Sequence, residues 1–177
     1  MATFDPAQLN RVDLVNFAGV GFRSQSQGFD PRSGEGARRF GGRFNPPRSF
    51  PVIYLCLTRA CVVAELTRQA ERQSVQLVDL LPRELWSLET SLDHVIDLMD
   101  GATLEATGLV AADLIRPDHT FTQQVGAAAH ERGIQAIRSL SATGVDEVLA
   151  LFPQNLGSGS LDVALVEVWE SSKDLSA

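Results

Sequence analysis

The sequence predicts an α+β fold, and three observations carry that expectation. Short apolar or alternating runs, VIYLCL at 52–57 and LDVALVEVW at 161–169, have the length and period of strands. Two stretches, Ala60–Arg72 and Thr120–Arg132, have the length and apolar spacing of helices. The two kinds of signal do not alternate regularly, which argues against a doubly wound sheet. The 177 residues suit one compact domain over 1–177, with mixed short-stranded sheets and two or three helices.

The elements follow in order. Gly19–Ser24, GVGFRS, reads as a short strand after an amphipathic lead-in, with Arg23 pointing out near its end. Residues 25–42 are rich in Gly, Ser, Arg and Asp, carry an Asp30-Pro31 turn signal and read as a long loop. Loops of that length in compact domains are usually functional or disordered. Val52–Leu57 is apolar throughout and reads as a buried strand. Ala60–Arg72 reads as a helix with Cys61, Ala64 and Glu65 on one face and Arg68, Glu71 and Arg72 on the other. Leu85–Leu98 reads as one or two strands, and Asp100 can cap a short helix through Thr107. The helix at 120–132 has Thr120 or Thr122 as candidate caps and Gly133 as its stop. Ile134–Arg138 and Val148–Phe152 read as strands around the turn SLSATGVDE, and Leu161–Trp169 closes the chain as a strand.

The net charge of −7 argues against general nucleic-acid binding. The charge is unevenly spread. Residues 1–72 hold ten arginines against six acids, a balance of +4 that leaves −11 for the remainder. Lys173 is the one lysine, so nearly every cation is a guanidinium, the group suited to bidentate recognition of phosphate or carboxylate. No apolar run approaches the roughly 20 residues of a membrane helix, and the N-terminus lacks a signal-peptide pattern, so a cytoplasmic protein is expected. Cys56 and Cys61 lie in apolar surroundings and read as reduced core residues.

Several standard sites drop out. GEGARRFGG lacks the Gly-Lys-Ser/Thr ending of a P-loop and the strand-to-helix context of a dinucleotide fingerprint. His94, His119 and His130 have no metal-ligand spacing with each other or with the cysteines, so no metal is expected and each reads as a surface or structural residue. No Gly-x-Ser-x-Gly elbow is present. What remains is Arg23, Arg43, Tyr54, Glu65 and the serines Ser139 and Ser141. Arg43 follows two glycines, where backbone can approach a ligand closely. Glu65 sits at the edge of an apolar face, where an unpaired carboxylate is costly and needs a cation or hydroxyl. The plainer reading is a salt bridge from Glu65 to Arg43 or Arg68, a core Tyr54 and a turn serine. A guanidinium, a phenol and a carboxylate converging from adjacent elements would otherwise suit a charged, ribose-containing substrate.

GEGARRFGGRFNPPRSFPVIYL, followed by Glu65 in VVAEL and by GIQAIRSLSATGVDEVLALF, resembles the RES domain family over about residues 20–155. The family pattern is matched in order by Arg23, Arg43, Tyr54, Glu65 and Ser141, with Ser139 two residues away as the alternative serine. Phe44 stands where the family usually has tryptophan. The resemblance implies a fold similar to ADP-ribosyltransferase toxins. It also implies a toxin of a bacterial toxin–antitoxin pair that cleaves the nicotinamide–ribose bond of NAD+, with phosphate or water as acceptor. NAD+ is then a substrate, inorganic phosphate a candidate co-substrate, and no cofactor is implied.

In that reading Glu65, Arg43 and Ser141 are catalytic, and Arg23, Arg43, Tyr54, Asn45 and Ser141 bind NAD+. Glu65 would stabilise an oxocarbenium-like ribose and hold its 2′-hydroxyl. Arg43 and Arg23 would clamp the pyrophosphate, or Arg23 an acceptor phosphate. Tyr54 would stack on nicotinamide, Ser141 would hydrogen-bond the ribose or carboxamide, and Asn45 would hold the loop. The implied partner is an antitoxin with a Cro-repressor-like helix-turn-helix domain whose tail blocks the NAD+ cleft, forming a hetero-oligomer with no direct nucleic-acid or membrane contact by this chain. Two other readings share the fold: a mono-ADP-ribosyltransferase acting on a protein, and a non-catalytic nucleotide-binding or interaction domain. An RNA-binding module built on Arg32–Arg48 with Phe40, Phe44 and Phe50 is disfavoured by the acidity of the rest.

Overall fold

A computed structural model describes residues 3–157 and 159–176. Its frame is a six-stranded sheet of strands β1 (Val15–Gln25), β2 (Ile53–Cys56), β3 (Arg83–Asp97), β4 (Ala136–Leu140), β5 (Glu147–Leu151) and β6 (Ser160–Trp169). The spatial order is β1-β2-β5-β4-β3-β6, and β1 also pairs with β3. Five strands therefore close on themselves, and β6 is added along β3. The pairings are antiparallel except β3 with β4. Four α-helices are found among the described residues: α1 (Glu35–Phe40), α2 (Arg59–Gln73), α3 (Gly101–Ala106) and α4 (Thr120–Glu131).

The α+β class is as expected; its proportions differ. β1, β3 and β6 run to 11, 15 and 10 residues, so the sheet is not short-stranded. β3 is one continuous strand because it serves two partners on one side, β6 and then β4, while β1 covers the other. The expected loop at 25–42 contains α1, held by Glu35 pairing one turn on with Arg38. Asp100 caps α3 as expected, accepting from Thr103 N–H at 2.9 Å. Neither Thr120 nor Thr122 caps α4; the Asp118 carboxylate accepts from the Thr120 N–H at 2.9 Å instead. Gly133 stops α4 at φ +76°, a conformation other residues adopt at a cost.

Ile53, Leu55, Leu88, Leu92, Val95, Ala136, Leu149 and Leu151 form a core cluster made wholly of strand residues. α2 packs Cys61, Val62 and Leu66 against Leu85 and Trp169. α4 packs Val125, Ala128 and Ala129 on Phe44, Ile96 and Phe152. β2 is buried on both faces, which is why its sequence lacks alternation. The Cys56 and Cys61 sulfurs are paired as a disulfide, which corrects the expectation of two reduced cysteines. The Thr58 cap that starts α2 turns the chain back on β2 and brings the two Cα atoms to 5.6 Å.

Candidate active site

The segment Gly41–Asn45 folds into a tight turn. Gly41 takes φ +75°, Gly42 N–H donates to the Asn45 carbonyl at 2.9 Å, and Arg43 sits at the apex. Gly42 cannot carry a side chain here, since a Cβ would lie 2.6 Å from the Tyr54 ring and hydroxyl. Tyr54 fastens the turn to β2: its hydroxyl accepts from Phe44 N–H at 2.9 Å and donates to Asn45 Oδ1 at 2.8 Å. Burial pushes that phenol well above its ordinary value, so it stays protonated as a donor. Asn45 is fully buried and donates to the Ala37 carbonyl at 2.7 Å, which ties α1 to the same turn. Gln123 of α4 donates to the Gly42 carbonyl at 2.9 Å from the other side.

Tyr54 and Asn45 therefore act on the loop. Tyr54→Phe should leave the Phe44 N–H and Asn45 Oδ1 without this partner and destabilise the fold by about 1–3 kcal/mol. Chemical denaturation of the purified variant measures this. An unchanged midpoint would show that the hydroxyl does not hold the turn.

The turn aims Arg43 into a cavity of about 390 Å³. Its Nη1 donates to the carbonyls of Asp113 (3.1 Å) and Arg116 (3.0 Å), which orients the guanidinium. Burial lowers its pKa, as does nearby Arg68, while Glu65 and Tyr54 oppose the shift. Across the cavity, α2 presents Glu65, Arg68, Gln69 and Arg72. The expected division of this helix is overturned here, because Glu65 shares its face with Arg68 and Arg72. Spacings of three, four and seven return to one face of a helix.

The two candidate serines make different contacts, and it is Ser141 that reaches Glu65. Its hydroxyl donates to Glu65 Oε1 at 2.7 Å and accepts from Thr143 N–H at 3.2 Å. Ser139, two residues back in β4, donates to the Leu140 carbonyl instead. Ser141 is fully buried, so its hydroxyl meets the carboxylate and not the cavity. Arg68 Nη1 stands 3.9 Å from Glu65 Oε2, a loose ion pair. Glu65 thus has one oxygen fixed and keeps a side chain 30% exposed towards the cavity.

Arg23 lines the cavity, but its Nη1 is committed to the carbonyls of Pro31 (3.1 Å) and Ser33 (2.9 Å). Burial lowers its pKa, followed by the neighbouring charge of Arg83, which itself is tied to Ser24. All five polar positions are thus brought to one region: Arg23, Arg43, Tyr54 and Glu65 line the cavity, and Ser141 supports it from behind. The sequence reading missed His119. It faces the cavity just ahead of α4, and its pKa is lowered by burial, then by Arg43, Arg68 and Arg72, with Asp118 opposing. No spacing in the sequence marks it, because it reaches the cavity through the packing of α4.

A family model described as the RES domain matches residues 18–174, extending past the expected limit near 155 to take in β6. The NAD(+) phosphorylase MbcT of Mycobacterium tuberculosis, and that of Mycobacterium bovis, are 32% identical over 164 residues, 90% of this chain and 88% of the relative. The crystal structure of the M. tuberculosis MbcT–MbcA toxin–antitoxin complex contains a chain similar to this one. Its TM-score is 0.74 at 30% identity, over 92% of this chain and 93% of that chain.

Proposed function

The chain belongs to the RES domain family, and we propose that it is the toxin of a toxin–antitoxin pair that depletes NAD+ by phosphorolysis. The observation that carries this reading is the Glu65 carboxylate, held by Ser141 at 2.7 Å, facing a cavity lined by guanidiniums. The similarity to NAD(+) phosphorylases supports phosphate over water as the acceptor. The C1′–N bond of the nicotinamide ribose breaks, nicotinamide leaves neutral with the electron pair, and a phosphate oxygen forms the new bond to C1′. The product is ADP-ribose 1″-phosphate.

Cleavage of this kind passes through an oxocarbenium-like ribose. Glu65 opposes that positive charge and accepts from the ribose 2′-hydroxyl. Arg43, held by two carbonyls, meets the pyrophosphate without reorganising. Arg23 lies on the same wall and adds charge to it. Tyr54 lines the cavity while its hydroxyl holds the turn, and Asn45 serves NAD+ through that turn. Ser141 acts through Glu65 as a positioning residue. NAD+ is a substrate here, and the chemistry needs no metal or bound cofactor.

The closed strands with flanking helices support placing the fold near the ADP-ribosyltransferases as one domain. The toxin–antitoxin complex supports an antitoxin partner for this chain. In our reading that partner carries a helix-turn-helix domain and covers the arginine-lined cavity with an acidic or carboxylate end. No helix among the described residues is long and apolar enough to cross a membrane, which is compatible with action in the cytoplasm on the cell's NAD+.

The test is incubation of antitoxin-free protein with NAD+, with and without inorganic phosphate, followed by chromatography and mass analysis. Nicotinamide and ADP-ribose 1″-phosphate should form only with phosphate. Free ADP-ribose in both conditions would make the protein a hydrolase, and label on protein would make it a protein-directed transferase.

A further inference from the structure

The cavity carries more positive charge than a dinucleotide requires. Arg23, Arg43, Arg68, Arg72 and Arg83 line it, and Glu65 is the one acid among the described lining residues. The pyrophosphate of NAD+ brings two negative charges, and the nicotinamide ring takes one back. Three of the five guanidiniums are committed to protein oxygens: Arg23 to Pro31 and Ser33, Arg43 to Asp113 and Arg116, and Arg83 to Ser24. Arg68 has only the loose contact at 3.9 Å with Glu65, and Arg72 makes no hydrogen bond or ion pair among the described residues. Both project from α2 on the Glu65 stripe, with His119 lining the same cavity from the approach to α4. Arg68 and Arg72 both bear electrostatically on His119, so the three groups surround one region.

We propose that Arg68 and Arg72, with His119 beside them, form the seat of the acceptor phosphate. The assignment rests on the phosphorolytic reading above and names the residues that supply its second substrate. Arg68 lies one turn from Glu65, with its guanidinium next to that carboxylate. A phosphate on Arg68 therefore lies beside the ribose that Glu65 engages, within reach of C1′. Arg72 is one further turn along, about 6 Å on the helix axis, so both guanidiniums can share one phosphate. His119 donates a single N–H as a neutral imidazole. The bound dianion attacks C1′ directly, and no proton has to move in the bond-forming step. The seat also keeps water from being the nearest nucleophile, because the oxygen closest to C1′ is then a phosphate oxygen.

The experiment measures initial rates of nicotinamide release while phosphate and NAD+ are varied separately, for wild type, Arg68→Gln, Arg72→Gln and His119→Gln. Each variant is first checked for folding by thermal melt. The KM for phosphate should rise about tenfold or more in each arginine variant, and severalfold in His119→Gln, with the KM for NAD+ within about threefold of wild type. Arg72→Lys should recover part of the phosphate affinity. A rise in the KM for NAD+ with that for phosphate unchanged would overturn the assignment and give these arginines to the dinucleotide. Turnover by wild type that ignores phosphate would defeat the phosphorolytic reading itself, a result visible before any variant is made. A readout without turnover uses Glu65→Gln protein and inorganic phosphate alone: the His119 ring resonances should shift saturably, and Arg72→Gln added to that background should abolish the shift. Absence of any shift at saturating phosphate would also overturn the seat.

Discussion

Glu65→Gln should lower kcat for NAD+ cleavage by about a thousandfold in a protein that still folds. The substitution keeps the size of the side chain and leaves an amide that can still hydrogen-bond the Ser141 hydroxyl, now at 2.7 Å from Glu65 Oε1. What it removes is the negative charge facing the cavity. In the proposed reaction that charge, set in a cavity lined by five guanidiniums, would oppose a cationic ribose, so its loss should be felt most in the transition state. The KM for NAD+ should change little, because the pyrophosphate contacts remain. Ser141→Ala separates charge from positioning. It leaves the carboxylate but frees it to swing towards Arg68, 3.9 Å away, and misplacement of that kind can cost about a hundredfold. Nicotinamide release by each purified variant, beside a melt that confirms folding, measures both. Wild-type turnover in Glu65→Gln would remove the carboxylate from the mechanism.

The parts of this site that were legible in the sequence are those set by local chemistry. The glycine pair before Arg43 signals a turn that approaches something closely, and the structure puts the Tyr54 ring against Gly42. The order Arg23, Arg43, Tyr54, Glu65, Ser141 carries the family resemblance. The parts that were not legible depend on which surfaces meet. Ser139 and Ser141 share one strand parity, so alternation gives them the same claim on Glu65. Only the turn after β4, where Ser141 N–H donates to the Asp146 carbonyl, decides which hydroxyl arrives. Apolar neighbours put Glu65 with the apolar face of α2, although its spacing to Arg68 and Arg72 also allows one stripe. The cavity makes that stripe visible by leaving it uncovered. Closure of β1 onto β3, and the reach of His119 into the site, join segments far apart in the chain and leave no local mark.

Gly126→Ala carries the largest expected effect on stability, although every local rule favours it. Gly126 lies within α4, where alanine is the better helix former by about 1 kcal/mol. Alanine also restricts the unfolded chain, which again favours folding. The obstacle is the Arg43 turn. A Cβ at Gly126 would lie 1.8 Å from the Phe44 carbonyl oxygen, 2.6 Å from its carbonyl carbon and 2.8 Å from its Cβ. None of these is the end of a flexible side chain, and Phe44 is fully buried, so neither side can give way cheaply. Loss of about 3 kcal/mol or more is expected, or failure to fold. Gly101→Ala is the matched control, because nothing lies within 4 Å of its Cβ position in α3, and it should be neutral or slightly stabilising. Denaturant midpoints of the two variants, set against wild type, test the contrast. If Gly126→Ala folds, α4 and the turn must have moved apart. The Gln123 bond to the Gly42 carbonyl and the aim of Arg43 would go with them, so the surviving protein should bind NAD+ more weakly. Wild-type stability together with wild-type affinity would mean that α4 does not press on the turn, and the account of how Arg43 is held in place would fail.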